Sequence, residues 1–279
     1  MLRTRLWMGA ILIALTVGML AVDQYAEPWH PFLFVFFAAL AILGTIELLN
    51  LLASAFLPSR GLCLAGVIAV AIANWPAHLV GRGNPWYHVL TAFAVVVLAA
   101  FLVEMATFRE PGGSVVRVAL SLWIVAYLGL LPSFLAQVRW LPHGAAALAL
   151  CIFVPKSCDI GAYFTGRALG RHKMTPVLSP KKTWEGLAGG LVTAALVSFG
   201  INHYWPVLSC DLSALGFGLV VGGAGVLGDL AESMIKRDCQ RKDASAVVPG
   251  FGGVLDVIDA VIFAAPVAYL WLRCFPLAA

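Results

Sequence analysis

The sequence predicts an all-α, polytopic membrane protein with about nine transmembrane helices and a cytoplasmic N-terminus. Hydrophobic residues make up 61% of its 279 positions and charged residues only 11%. Ordinary soluble domains run at roughly 45–50% and about 25%. That composition excludes a water-soluble globular enzyme, and it also excludes a disordered chain, which needs many charges and few apolar residues. The apolar residues come in long runs, not in the alternating ten-residue segments of an outer-membrane barrel.

A bilayer core about 30 Å thick takes about 20 helical residues. Runs of that kind fall at 6–22, 31–56, 61–80, 87–107, 115–138, 143–164, 186–204, 213–235 and 254–276. The first follows Arg3 and Arg5 as a signal peptide would, but no small-x-small cleavage site precedes Asp23, so it stays a span. With the N-terminus inside, one set of loops holds Arg3, Arg5, Arg60, Arg109, Arg117, Arg167, Arg171, Lys173, Lys181, Lys182, Lys236, Arg237, Arg241 and Lys242. That is 14 of the 18 basic residues, leaving Arg82, Arg139, Lys156 and Arg273. The excess of Lys and Arg on that side predicts a cytoplasmic N-terminus and an external C-terminus. The net charge of +4 is too small to indicate nucleic acid. The six cysteines form no CxxC pair and read as small hydrophobes, not as disulfides or a zinc site. His30, His78 and His88 show no zinc pattern either.

Residues 1–140 are spans with short turns. Polar content concentrates in 141–279, with charged loops at 165–185 and 236–253. Within the sixth span, Asp159, Tyr163 and Arg167 stand at i, i+4, i+8 on one helical face. A buried carboxylate there needs a partner or a function. The plain alternative is an ion pair with Lys156 or Arg167. Ser179 followed by Pro180 reads as a helix N-cap with proline at the first position. With Lys181 and Lys182 beside it, that N-terminus suits a phosphate. The next polar stripe is Asp229, Glu232, Ser233 and Lys236, at i, i+3, i+4, i+7, where a glycine-rich apolar span ends. Lys242, Asp243 and the run Pro249-Gly250-Phe251-Gly252-Gly253 follow, and then Asp256 and Asp259 open the last span. Carboxylates of this kind suit Mg²⁺, which takes oxygen ligands and is usually shared with substrate phosphates. The neighbouring lysines and arginines point to a triphosphate or pyrophosphate.

The run Ser233-x-Ile235-Lys236-Arg237-x4-Lys242-Asp243-x-Ser245-x3-Pro249-x-Phe251-Gly252-Gly253-Val254-x-Asp256-Val257-Ile258-Asp259 resembles the signature of the phosphatidate cytidylyltransferase (CDP-diacylglycerol synthase) family. Upstream, Asp159…Tyr163…Gly166-Arg167, Ser179-Pro180-Lys181-Lys182-Thr183-x-Glu185-Gly186 and Gly228-Asp229-Leu230-x-Glu232-Ser233 resemble it too. The motifs cover roughly 155–260, and the N-terminal half matches only in being hydrophobic spans. Two positions depart: the family usually has histidine where this chain has Phe251 and arginine where it has Val257.

The resemblance implies transfer of a cytidylyl group from CTP to phosphatidate, giving CDP-diacylglycerol and pyrophosphate, with Mg²⁺ as cofactor and room for a second cation. Asp229 and Asp256 are then the first candidates for metal ligands, and Asp243 and Asp259 the next. Asp229, Ser233, Lys236, Asp243 and Asp256 are the expected catalytic set. Asp159, Tyr163, Arg167, Ser179, Lys182, Arg237, Lys242, Gly252 and Gly253 are the expected substrate-binding set. The partners are CTP, phosphatidate and membrane lipids, with no nucleic acid, and a homodimer is allowed. The site is expected at the cytoplasmic face of a bacterial cytoplasmic membrane. Two alternatives stay open: an inactive divergent member, or a transporter or channel whose cation path is lined by Asp159, Glu47 and Glu104.

Overall fold

The structure, a computed structural model, describes residues 2–52, 57–81, 83–250, 252–275 and 277–278. Arg82 and Phe251 lie outside the described residues, as do the side chains of Arg3 and Arg5. Among the described residues eleven α-helices follow one another: α1 Leu2–Asp23, α2 Pro31–Leu51, α3 Arg60–Ile72, α4 Pro76–Val80, α5 Pro85–Thr107, α6 Ser114–Val125, α7 Leu131–Val138, α8 Gly144–Leu169, α9 Trp184–Tyr204, α10 Asp211–Asp238 and α11 Leu255–Cys274. Among the described residues these supply nine segments long and apolar enough to cross a membrane. The chain is an integral membrane protein, all-α as expected. Two spans are composite. One joins α3 to α4 across a turn before Pro76, and the other joins α6 to α7 through a π-helical turn, Ala126–Leu130.

Contacts divide the chain into two compact units. The first is Met1–Gln137 with Asp243–Leu255, and the second is Val138–Lys242 with Asp256–Ala279. In the first unit several buried polar side chains hydrogen-bond one another or the backbone, as a hydrocarbon setting favours. Asp23 accepts the backbone N–H groups of Phe32 and Leu33 at 3.0 and 2.9 Å, so it caps α2 from the preceding helix. Asn74 bonds Ser133 at 2.9 Å and Gln137 at 2.8 Å, and Gln137 also meets His78 at 2.8 Å.

In the second unit α8, α9 and α10 pack face to face through small residues, the usual means of close helix approach in membranes. A Cβ on Gly218 would lie 2.5 Å from Ala195 Cα. A Cβ on Gly228 would lie 2.6 Å from the Asp259 carbonyl, so glycine there lets α10 touch the start of α11 beside Asp229.

One local expectation is corrected. Ser179 does not cap a helix. Residues Ser179–Thr183 form strand β2, paired antiparallel with β1, Lys173–Thr175, and α9 begins at Trp184 with Thr183 as its N-cap. The Thr183 hydroxyl accepts the Gly186 N–H at 3.1 Å. The residue before a proline is biased toward extended backbone, and here that bias continues through Lys181 and Lys182 until a hydroxyl can cap the helix.

Candidate functional site

The end of α10 carries its polar stripe as the helical period demands, and its members pair within α10, with strand β2 and with α11. Lys182, on β2, meets Asp229 at 2.7 Å. Lys236 bonds Glu232, one turn earlier on α10, and Asp256, on α11, at 2.6 Å each. Lys156, midway along α8, meets Asp259 at 3.1 Å and Asp159 at 3.7 Å. Ser233 Oγ lies 3.5 Å from Asp229 Oδ1. The structure thus gathers Asp159, Lys182, Asp229, Glu232, Ser233, Lys236, Asp256 and Asp259 into one polar cluster.

Glu232 and Asp259 are buried, at 2% and 5% exposure, and Asp229 is half-buried. Oxygens of Asp229, Glu232 and Asp259 lie within 4.8 Å of one another. Glu232 Oε1 is buried with no hydrogen-bond partner among the described residues. An orphaned carboxylate oxygen in an apolar setting is costly, and an all-oxygen set of this spacing is what a hard divalent cation takes. Five carboxylates (Asp159, Asp229, Glu232, Asp256, Asp259) against three lysines (Lys156, Lys182, Lys236) leave two formal negative charges over. The residues fit a divalent ion. The candidate metal group differs from the sequence expectation in its membership: Glu232 joins Asp229 and Asp259, while Asp256 faces Lys236.

The other candidates lie around this cluster or outside it. Tyr163 and Arg167 share the exposed face of α8, joined at 3.1 Å. Ser179 is half-buried in β2. Arg237 Nε donates to the Leu178 carbonyl at 3.4 Å, tying the end of α10 to the ribbon. Glu185 accepts the backbone N–H groups of Arg171 and His172 at 3.1 and 3.2 Å, closing the loop after α8. Lys242 is exposed. Asp243, Gly252 and Gly253 belong to the first unit, where Asp243 is exposed, Gly252 bonds Val248, and Gly253 packs against Glu47.

Glu47 and Glu104 do not stand as an open cation path. Glu104 is ion-paired with Arg117, and Glu47 accepts three hydrogen bonds from the 245–255 loop. Sequence reasoning held Lys156 only as an alternative ion-pair partner of Asp159, a pairing present at 3.7 Å, and missed its bond to Asp259 and the role of Glu47 as a partner of the signature segment. Lys156 stood on the Asp159 face, so i, i+3 spacing held the signal for it. For Glu47 the only signal was a lone acid in an apolar run.

A model of the cytidylyltransferase family matches residues 3–275. The chain is 30% identical over 240 residues to the phosphatidate cytidylyltransferase of Staphylococcus aureus (strain COL), covering 86% of this chain and 89% of that one. It is 43% identical over 128 residues to the phosphatidate cytidylyltransferase of Haemophilus influenzae, 44% of each chain. It is also 38% identical over 189 residues to the uncharacterized protein YnbB of Escherichia coli, 64% of this chain and 62% of that one.

Proposed function

Because the chain belongs to the cytidylyltransferase family, we propose that it performs the reaction its relatives are named for: CTP and phosphatidate give CDP-diacylglycerol and pyrophosphate. The observation that carries the reading is the clustering of Asp229, Glu232 and Asp259 with an orphaned carboxylate oxygen, ringed by Lys156, Lys182 and Lys236.

A phosphate oxygen of phosphatidate attacks the α-phosphorus of CTP. The bond from that phosphorus to the β-phosphate's bridging oxygen breaks, and pyrophosphate leaves with the electron pair. No protein nucleophile is required, so catalysis rests on positioning and charge neutralisation. Asp229, Glu232 and Asp259 would hold Mg²⁺, which when bound neutralises phosphate oxygens and the departing pyrophosphate. The lysines now pair with carboxylates, and they would be the cations within the cluster for an entering phosphate to meet. Lys182 lies on a two-stranded ribbon and Lys236 on α10, so an entering triphosphate would meet donors from two elements. Ser233 adds a hydroxyl beside Asp229. The apolar helices keep acyl chains in the bilayer while the lipid phosphate reaches the polar end of α10. The partition of Lys and Arg supports a cytoplasmic placement of that end, where CTP is available.

The test is pyrophosphate release by pure protein in detergent, with phosphatidate and each of the four nucleoside triphosphates, with Mg²⁺ or with excess chelator. Release with CTP (or dCTP), phosphatidate and Mg²⁺ together, and with none of these alone, is expected. Release that ignores the lipid, or no release by folded protein under varied lipid and metal conditions, contradicts the reading.

A further inference from the structure

Glu47 lies near the C-terminal end of α2, 5% exposed. A carboxylate so placed needs full hydrogen bonding to be tolerated. Among the described residues its three donors all come from one distant segment. Ser245 Oγ donates to Oε1 at 2.6 Å, the Val254 N–H to Oε1 at 2.9 Å, and the Leu255 N–H to Oε2 at 2.9 Å. One carboxylate therefore closes a loop at both ends. Between those ends, Val248 and Gly252 exchange two backbone hydrogen bonds, at 2.7 and 3.0 Å, which folds the loop's tip back on itself. Gly250 and Gly252 sit at φ of 85° and 111°, a region open to glycine at no steric cost. At Gly253 a Cβ would come within 2.6 Å of Glu47 Oε2, so the carboxylate's approach depends on that glycine as well.

Leu255 is the first residue of α11, and its N–H and that of Val254 belong to the donors a helix start leaves unpaired. Glu47 satisfies them as Asp23 satisfies those of α2. The next residue in the chain is Asp256, which bonds Lys236 at 2.6 Å, and three further on is Asp259 of the candidate metal group. We propose that Glu47 is a positioning residue: it clamps both ends of the 245–255 loop and so fixes where α11 begins, the helix on which Asp256 and Asp259 follow in the chain. Its part in the chemistry rests on the reaction proposed above; the clamp itself does not.

Glu47→Gln keeps one acceptor oxygen and turns an amide against the remaining donors. Hydrogen exchange of 245–256, tryptic cleavage after Arg241 and Lys242, and kcat with KM for both substrates are measured on the full chain in detergent. Faster exchange confined to that segment, with kcat down tenfold or more and KM for phosphatidate within twofold, is expected. Ser245→Ala, which removes one bond of three, should give a smaller loss in the same direction. Unchanged exchange, or faster exchange with unchanged kcat, overturns the positioning role. If Glu47→Gln does not fold, exchange in the unaltered protein decides. Val254 and Leu255 amides slower than those of Ala246 and Val247 support the clamp, and equal rates overturn it. Absence of pyrophosphate release in the unaltered chain contradicts the reaction. Release that Glu47→Gln leaves intact contradicts only the role of Glu47.

Discussion

At the scale of single residues the site is a question of charge balance. Val257 stands where the family pattern has arginine, which would leave the start of α11 with two carboxylates and no basic residue between them. Lys156 meets Asp259 from α8 and Lys236 meets Asp256 from α10, so the counter-charges come from neighbouring helices. Lys156→Met should therefore lower turnover roughly tenfold or more, since a charge-assisted bond is worth about 1.5–3 kcal/mol. Val257→Arg in the same chain should recover part of the loss. A Lys156→Met protein with normal turnover would remove Lys156 from the site. The carboxylates permit a second test at this scale. If Asp229 and Glu232 hold one ion, Asp229→Asn and Glu232→Gln should each weaken Mn²⁺ binding about tenfold or more, and the double variant should be little worse than either. Losses in Mn²⁺ affinity that simply add would mean separate roles.

At the scale of elements the test case is the entry to α9. The capping hydroxyl belongs to Thr183 and not to Ser179. Thr183→Ala should cost about 0.5–2 kcal/mol of stability, read as a lowered thermal midpoint in detergent, and Ser179→Ala should leave that midpoint nearly unchanged. The reverse order would restore the cap to Ser179. This case also marks how far sequence reasoning reaches. The helical period placed Asp229, Glu232, Ser233 and Lys236 on one face, and they lie there. Run length placed the nine spans to within a few residues at most ends. Ser-Pro followed by polar residues is equally compatible with a cap and with a strand, and only the Lys173–Thr183 pairing decides between them. Lys156 and Asp259 are 103 positions apart and Glu47 and Leu255 are 208 apart. No periodicity connects such pairs, so Lys156 as the partner of Asp259 and Glu47 as the partner of the loop became visible only with the packing.

At the scale of the whole molecule the account requires one orientation. Single cysteines placed at positions 175 and 245 in intact cells should be protected from an impermeant thiol reagent, because both positions lie on the side that carries 14 of the 18 basic residues. Labelling of both from outside would reverse the topology and separate the site from cytoplasmic CTP. Nucleotidyl transfer to a lipid phosphate at the Asp229, Glu232 and Asp259 cluster dictates where each radioactive phosphate of CTP ends up. With pure protein, phosphatidate and Mg²⁺, CTP labelled at the α-phosphate should carry its label into the lipid phase, while CTP labelled at the γ-phosphate should leave its label in aqueous pyrophosphate. Asp229→Asn should abolish both. An α-label that remains in water as a free cytidine nucleotide, or enters the lipid equally well with Asp229→Asn, would contradict the account.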